Sequence, residues 1–187
     1  MSQPIRAFVA VKMPATGPLR RVLSQLELME PALKPVHPER LHVTLRFLGD
    51  VQPELVPEIS EIVQGVASTR SRSEVRLMGL GAFPHTRRPN VVWVGLAEAD
   101  LLVAMAEELN RELESLGFSK ERRPFQPHLT LARVKRKPPR DLGELLEKGE
   151  NAEYGSVAVE AVHLLQSELT SDGPRYATLA TVEMQGE

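Results

Sequence analysis

Two stretches of this chain alternate strictly between apolar and polar residues. In the first, Leu41, Val43, Leu45 and Phe47 alternate with His42, Thr44 and Arg46. In the second, Leu129 and Leu131 alternate with His128 and Thr130. A strand points successive side chains to opposite faces. Both stretches are therefore read as strands with one apolar and one polar face, Phe47 falling on the apolar one. Elsewhere the spacing is helical or the apolar run is continuous. RAFVAVK (6–12) reads as a strand. From Leu19, apolar residues recur at Leu19, Val22, Leu23 and Leu26, and Pro31 and Pro35 end that helix. PELVPEISEIVQGVAS (53–68) reads as a helix with proline in its first turn, and Ser73 opens another strand.

The order then recurs. NVVWVGL (90–96) is a strand, 100–118 a helix stopped by Gly117, and PFQPHLTLARV (124–134) a strand. DLGELLEKG (141–149) is a short helix, and SVAVEAVHLLQSEL (156–169) reads as a single strand. SDGPR (171–175) is a turn leading into a last strand, ATLATVEM (177–184). Phe8 lies 34 residues before His42, and Val94 lies 34 before His128. The expectation is an α+β chain with β-α-β-α-β written twice, plus an extra C-terminal strand. It forms one domain of two pseudo-symmetric lobes, approximately 1–84 and 90–187, whose sheets are free to exchange strands. HTRRPN (85–90) is the expected crossover, and KRKPPR (135–140) the expected flexible loop.

The polar faces carry the same tetrapeptide, HVTL at 42–45 and HLTL at 128–131. The chain has eight threonines, 26 leucines and five histidines. Chance places Thr and Leu after two of those histidines in roughly a few cases in ten thousand. Both copies also fall at the equivalent place in the repeat. Residues i and i+2 of a strand share a face, so His and Thr of each copy point together. If the lobes are related by a near two-fold, the two polar faces meet across a cleft. Histidine titrates near neutrality, so one imidazole can take a proton while a second, as imidazolium, gives one. Threonine hydroxyls donate to anionic oxygens. A phosphodiester fits such a set.

Composition narrows the chemistry further. There are no cysteines, which excludes disulfide scaffolds, thiolate catalysis and Cys-ligated metal. The only carboxylate within four residues before either motif is Glu39, and two histidines alone are a poor metal set, so no metal or other cofactor is expected. No GxSxG or GxxxxGK[ST] pattern occurs. The N-terminal apolar run is too short for a signal peptide, and no stretch approaches a membrane span, so a cytoplasmic protein without membrane contact is expected. Net charge is −2, so any nucleic-acid contact must come from a local patch.

Taken together, HVTLRFLGDV, FQPHLTLARV, the opening RAFVAV and the closing SELTSDGPRYATLATVEM resemble the 2H phosphoesterase superfamily. More closely they resemble the RNA 2′,3′-cyclic phosphodiesterases, also called 2′-5′ RNA ligases. The resemblance spans almost the whole chain. It implies a bilobal α+β fold with two antiparallel sheets facing a central cleft. It implies metal-independent hydrolysis of RNA terminal 2′,3′-cyclic phosphate to a 2′-phosphomonoester, and in some members reversible 2′-5′ ligation without ATP. The catalytic set it implies is His42 as proton donor, His128 as proton acceptor, Thr44 and Thr130. Near-equivalence of the repeats leaves the donor and acceptor roles open in the residues themselves.

Arg133 also corresponds to a family position. On an ideal strand it would face away from His128, so a bulge or strand end is needed to bring it to a phosphate. Phe8 is a candidate to stack a base, with core packing as the competing reading. Residues 119–140 carry eight basic side chains and one acidic, a candidate rim for RNA as well as an ordinary solvated surface. His37, His85 and His163 lack the HxT context and are read as non-catalytic. The expected partners are RNA ends bearing 2′,3′-cyclic phosphate, or small cyclic nucleotides, with no obligate protein partner. The alternative is a non-catalytic module that binds a nucleotide or RNA end in the same cleft.

Overall fold

A computed structural model describes residues 3–171 and 173–186. The strands are β1 (Ile5–Lys12), β2 (Leu33–Pro35), β3 (His42–Val51), β4 (Ser73–Phe83), β5 (Val91–Ala97), β6 (His128–Val134), β7 (Glu153–Val159), β8 (Ala161–Thr170) and β9 (Gly173–Glu183). The α-helices are α1 (Gly17–Glu27), α2 (Val56–Ala67), α3 (Asp100–Glu112) and α4 (Arg140–Gly149). Thr16 caps α1 by accepting from the Leu19 amide. After α3 a short 3-10 turn ends at Gly117, whose φ of 86° is the left-handed conformation expected of a glycine stop.

Two antiparallel sheets result, in the orders β3-β1-β8-β9 and β2-β6-β5-β4-β7. The α+β class and the paired antiparallel sheets are those the resemblance implied. The sheets do not follow the halves of the chain. β4, from the first half, pairs with β5 of the second. β8, from the second half, pairs with β1 of the first. The exchange is reciprocal: β8 and β9 extend β1 as β4 and β7 extend β5.

Two details differ from the sequence reading. The stretch 156–169 is not one strand. It breaks at Glu160 into β7, in the five-stranded sheet, and β8, in the four-stranded one. Both pieces are strand formers, so no change of composition marks the crossing. The short β2 also goes unread; it is a three-residue edge strand ending in Pro35, pairing with β6. The turn read at SDGPR joins β8 to β9, with Asp172 outside the described residues.

α2 and α3 cover the four-stranded sheet, and α1 and α4 lie against β7 and β4 of the other. Leu19, Leu23 and Leu26 of α1 and Leu102, Met105 and Leu109 of α3 are almost fully buried in one continuous core. A second, small cluster of Phe8, Ala10 and Leu165, with Tyr176 against it, lies on the other face of the four-stranded sheet. That is the face His42 and Thr44 share. Among the described residues no helix is long and apolar enough to cross a membrane.

Candidate active site

The register of each motif strand decides what it presents. In β3, Lys12 pairs with His42 and Ala10 with Thr44, but Val9 pairs with Arg46, so Leu45 is an extra residue, a β-bulge. In β6, Gly95 pairs with His128 and Trp93 with Thr130, but Val92 pairs with Ala132, so Leu131 is the extra residue. The bulge thus falls at the fourth residue of both HxTL copies. Beyond it the alternation reverses. Leu45 and Arg46 are both buried, as are Leu131 and Ala132. Phe47 and Arg133, the next residues, turn onto the faces that carry the histidines.

Arg133 therefore shares a face with His128 and Thr130 and is exposed to solvent. The bulge it required is present. The assignment of Phe47 to the apolar face is corrected by the same device: Phe47 is 59% exposed on the His42 side, and Arg46 takes the inward position at 8%. Arg46 donates from Nη2 to the Ser119 carbonyl, and its Nη1 lies 3.6 Å from Glu121. This ties β3 to the segment that leads into β6. β3 and β6 also touch directly, which brings the two motif strands together from separate sheets.

Each histidine is held in the same way. His42 Nδ1 lies 2.8 Å from the carbonyl of Arg40, and His128 Nδ1 lies 2.7 Å from the carbonyl of Gln126, in both cases two residues upstream. A carbonyl only accepts, so each Nδ1 carries its hydrogen and each Nε2 is left as the working nitrogen. Each ring is also braced by an aromatic neighbour. Phe83 meets His128 edge-on at 5.0 Å and 89°. Phe8 packs on His42 at 5.1 Å, and Tyr176 meets it edge-on at 5.1 Å.

Phe8 is only 3% exposed, with its ring against His42, Phe47 and Tyr176. That placement favours the core-packing reading of Phe8 over base stacking, with its ring against His42. The exposed aromatic beside it is Phe47. Burial lowers the His42 pKa below its usual value, opposed by the hydrogen bond to Arg40.

Tyr176, on β9, lies beside His42. Burial raises its pKa, while Arg133 and Arg40 both pull it down. Its ring touches His42, and the charge of Arg133 on the β6 wall reaches it through space. Sequence reasoning missed Tyr176, Phe47 and Phe83. Phe83 stacks on Trp93 at 5.3 Å. Trp93 in turn lies over Gly81, where any Cβ would come within 2.3 Å of the indole. Gly81 thus leaves the room on β4 that the indole occupies.

The remaining histidines lie outside the two motifs. His37 precedes a 3-10 turn and accepts from the Glu39 amide, and His85 lies beyond β4. His163, on β8, contacts the Thr181 hydroxyl at 3.0 Å. Of the basic side chains in 119–140, Lys120 and Arg140 pair with glutamates, whereas Arg122, Arg123, Lys135, Arg136 and Lys137 are exposed.

The sequence matches the family model of the LigT-like phosphoesterases twice, over residues 10–93 and 94–176. This chain belongs to that family. An RNA 2′,3′-cyclic phosphodiesterase of Aeropyrum pernix is 42% identical over 170 residues, covering 89% of this chain and 95% of the relative. One from Archaeoglobus fulgidus is 35% identical, covering 96% of this chain and all of the relative. The crystal structure of TT0787 of Thermus thermophilus superposes with a TM-score of 0.80 at 30% identity, over 98% of this chain and 100% of that one. That of E. coli LigT complexed with 3′-AMP gives 0.74 at 26% identity, over 97% of this chain and 99% of that one. The 2H phosphoesterase resemblance carried by the two HxT motifs is thereby borne out, and the two matches follow the internal repeat.

Proposed function

We propose that this chain hydrolyses RNA terminal 2′,3′-cyclic phosphate to the 2′-phosphomonoester, with His42 as proton donor and His128 as proton acceptor. The relatives named as RNA 2′,3′-cyclic phosphodiesterases support the hydrolase and its substrate class. The observation that carries the paired-histidine reading is the matched tether of each Nδ1 to a carbonyl two residues upstream.

In the reaction, His128 Nε2 takes a proton from water as its oxygen bonds to phosphorus. The P–O3′ bond breaks, and His42, protonated on Nε2, gives its proton to the departing 3′-oxygen. Negative charge grows on the non-bridging oxygens, where the Thr44 and Thr130 hydroxyls and the Arg133 guanidinium donate hydrogen bonds. The lowered pKa of His42 makes its imidazolium a strong donor, and an anionic phosphate beside it favours the charged form on binding. With a 5′-hydroxyl of a second RNA end in place of water, the same transfers yield a 2′-5′ linkage without ATP. Phe47 offers the exposed aromatic face for the terminal base, and the exposed cations of 122–137 form a rim for the strand's phosphates. No metal enters this scheme. One domain with a lobe built on each sheet, working in the cytoplasm, completes the proposal.

The test is hydrolysis of a short RNA ending in a 2′,3′-cyclic phosphate, with EDTA present and the product phosphomonoester identified. Metal-free turnover to the 2′-phosphate is the expected result. Binding of the cyclic end without turnover would leave a nucleotide-binding module instead.

A further inference from the structure

A cavity of about 350 Å³ opens beside His42, and the chemistry above leaves its charged lining without a use. Its charged lining is Lys12, Arg40, Arg175 and Glu39, and it shares His42 and Tyr176 with the reaction site. The cations come from three elements. Lys12 ends β1 opposite His42, Arg40 sits in the 3-10 turn before β3, and Arg175 is on β9. Lys12 Nζ donates to the Thr178 hydroxyl and Arg40 Nη1 to the Pro174 carbonyl, each at 3.3 Å. Both partners are neutral.

None of the three forms an ion pair with a carboxylate among the described residues. Three arginines elsewhere on the molecule show the alternative. Arg70 pairs with Glu108, Arg72 with Glu160 and Glu183, and Arg76 with Glu98 and Glu153. The chain holds 25 acidic and 23 basic residues, so carboxylates are not scarce. Three cations from three separate elements converging on one hollow with a single carboxylate, none of them ion-paired to it, make a site for an anion. Its shared wall with His42 sets that anion next to the reacting phosphate.

We propose that Lys12, Arg40 and Arg175 form a second phosphate subsite, holding the phosphate on the 5′-oxygen of the terminal nucleotide. This rests on the phosphodiesterase reading and adds to it. A phosphate there has two sources, the diester linking the terminal nucleotide to an RNA strand and the 5′-monoester of a single nucleotide. The proposal makes the enzyme a reader of the nucleotide's 5′ side as well as of its cyclic end.

Three substrates test it: a nucleoside 2′,3′-cyclic phosphate, the same compound with a 5′-phosphate, and a dinucleotide with the same cyclic end. In the wild type, kcat/KM should rise by roughly tenfold or more from the first to either of the others. Lys12→Ala with Arg175→Ala should flatten that rise and leave the bare cyclic nucleoside within about twofold. Arg175→Glu should reverse it, and Arg175→Lys should keep part of it. A preference for the dinucleotide alone would assign the subsite to the diester, and one for both to the phosphate itself. No preference in the wild type, or a preference unchanged in the double variant, would overturn the proposal. Calorimetric binding of a nucleoside 2′-phosphate against its 2′,5′-bisphosphate gives the same comparison without turnover. Loss of catalysis with that binding difference intact would count against the hydrolase reading and not against the subsite.

Discussion

The two HxTL copies run the same backbone and end differently. Each has a bulge at its last leucine, a histidine tethered through Nδ1 to a carbonyl two residues back, and a phenylalanine against the ring. One residue past the bulge they part. The first copy turns Arg46 inward and Phe47 out; the second turns Ala132 inward and Arg133 out. The repeat thus preserves where a side chain is aimed and leaves its chemistry free. A cation faces the cleft from one wall and an aromatic ring from the other. The histidines differ as well, since His42 touches both Phe8 and Tyr176. A symmetric scaffold therefore surrounds its two histidines unequally, as the proposed acid and base require.

Removing either histidine tests this contrast most severely. His42→Ala and His128→Ala should each lower kcat by about 10²–10⁴-fold, and the double variant should be little worse than either single one, because the pair acts as a unit. Full additivity in single-turnover kinetics would mean that the two work separately. Next come the residues past the bulges. Arg133→Met should cut kcat/KM by about 10- to 100-fold, chiefly in kcat, because charge builds on the phosphate in the transition state. Phe47→Ala should act mainly on KM, by about tenfold, as loss of one stacked base. Equal effects on both parameters in both variants would erase the distinction between the walls.

Smaller still is the inward pair. Arg46→Ala gives the first copy the side chain of the second, yet it strips the Ser119 carbonyl of its donor. Denaturant unfolding should show a loss of about 1–3 kcal/mol. The smallest effect is a shift of pH dependence. Tyr176→Ala exposes His42, and since burial is what lowers its pKa, the pKa should rise toward the usual value, read by NMR titration. If His42 is the donor, it must be protonated to act, so the high-pH limb of kcat/KM moves to higher pH. Movement of the low-pH limb instead would make His42 the base.

How much of this could be read from residues alone follows from range. The period of two placed His42 and Thr44, and His128 and Thr130, on common faces, because strand geometry is local. The helix stop at Gly117 was legible for the same reason. The bulges were not, because one extra residue changes every later orientation without changing composition. That is why Phe47 was read as core and Arg133 needed a bulge to be assumed. Tyr176 is close to His42 only because β8 and β9 fold back onto β1, a pairing set by tertiary contacts. The break at Glu160 was hidden in a continuous run of strand formers.

The reciprocal exchange of β4 and β8 also governs how the molecule can be made. β1 is the first of the nine strands in chain order, and β8, its neighbour in the sheet, is the eighth. Until β8 arrives, the growing chain carries one edge of β1 with its amides and carbonyls unpaired. The four-stranded sheet closes only once β8 has been made, so the wall bearing His42 is completed after every strand of the other sheet exists. Such a long-range pairing forms slowly and leaves that open edge exposed to aggregation while it waits.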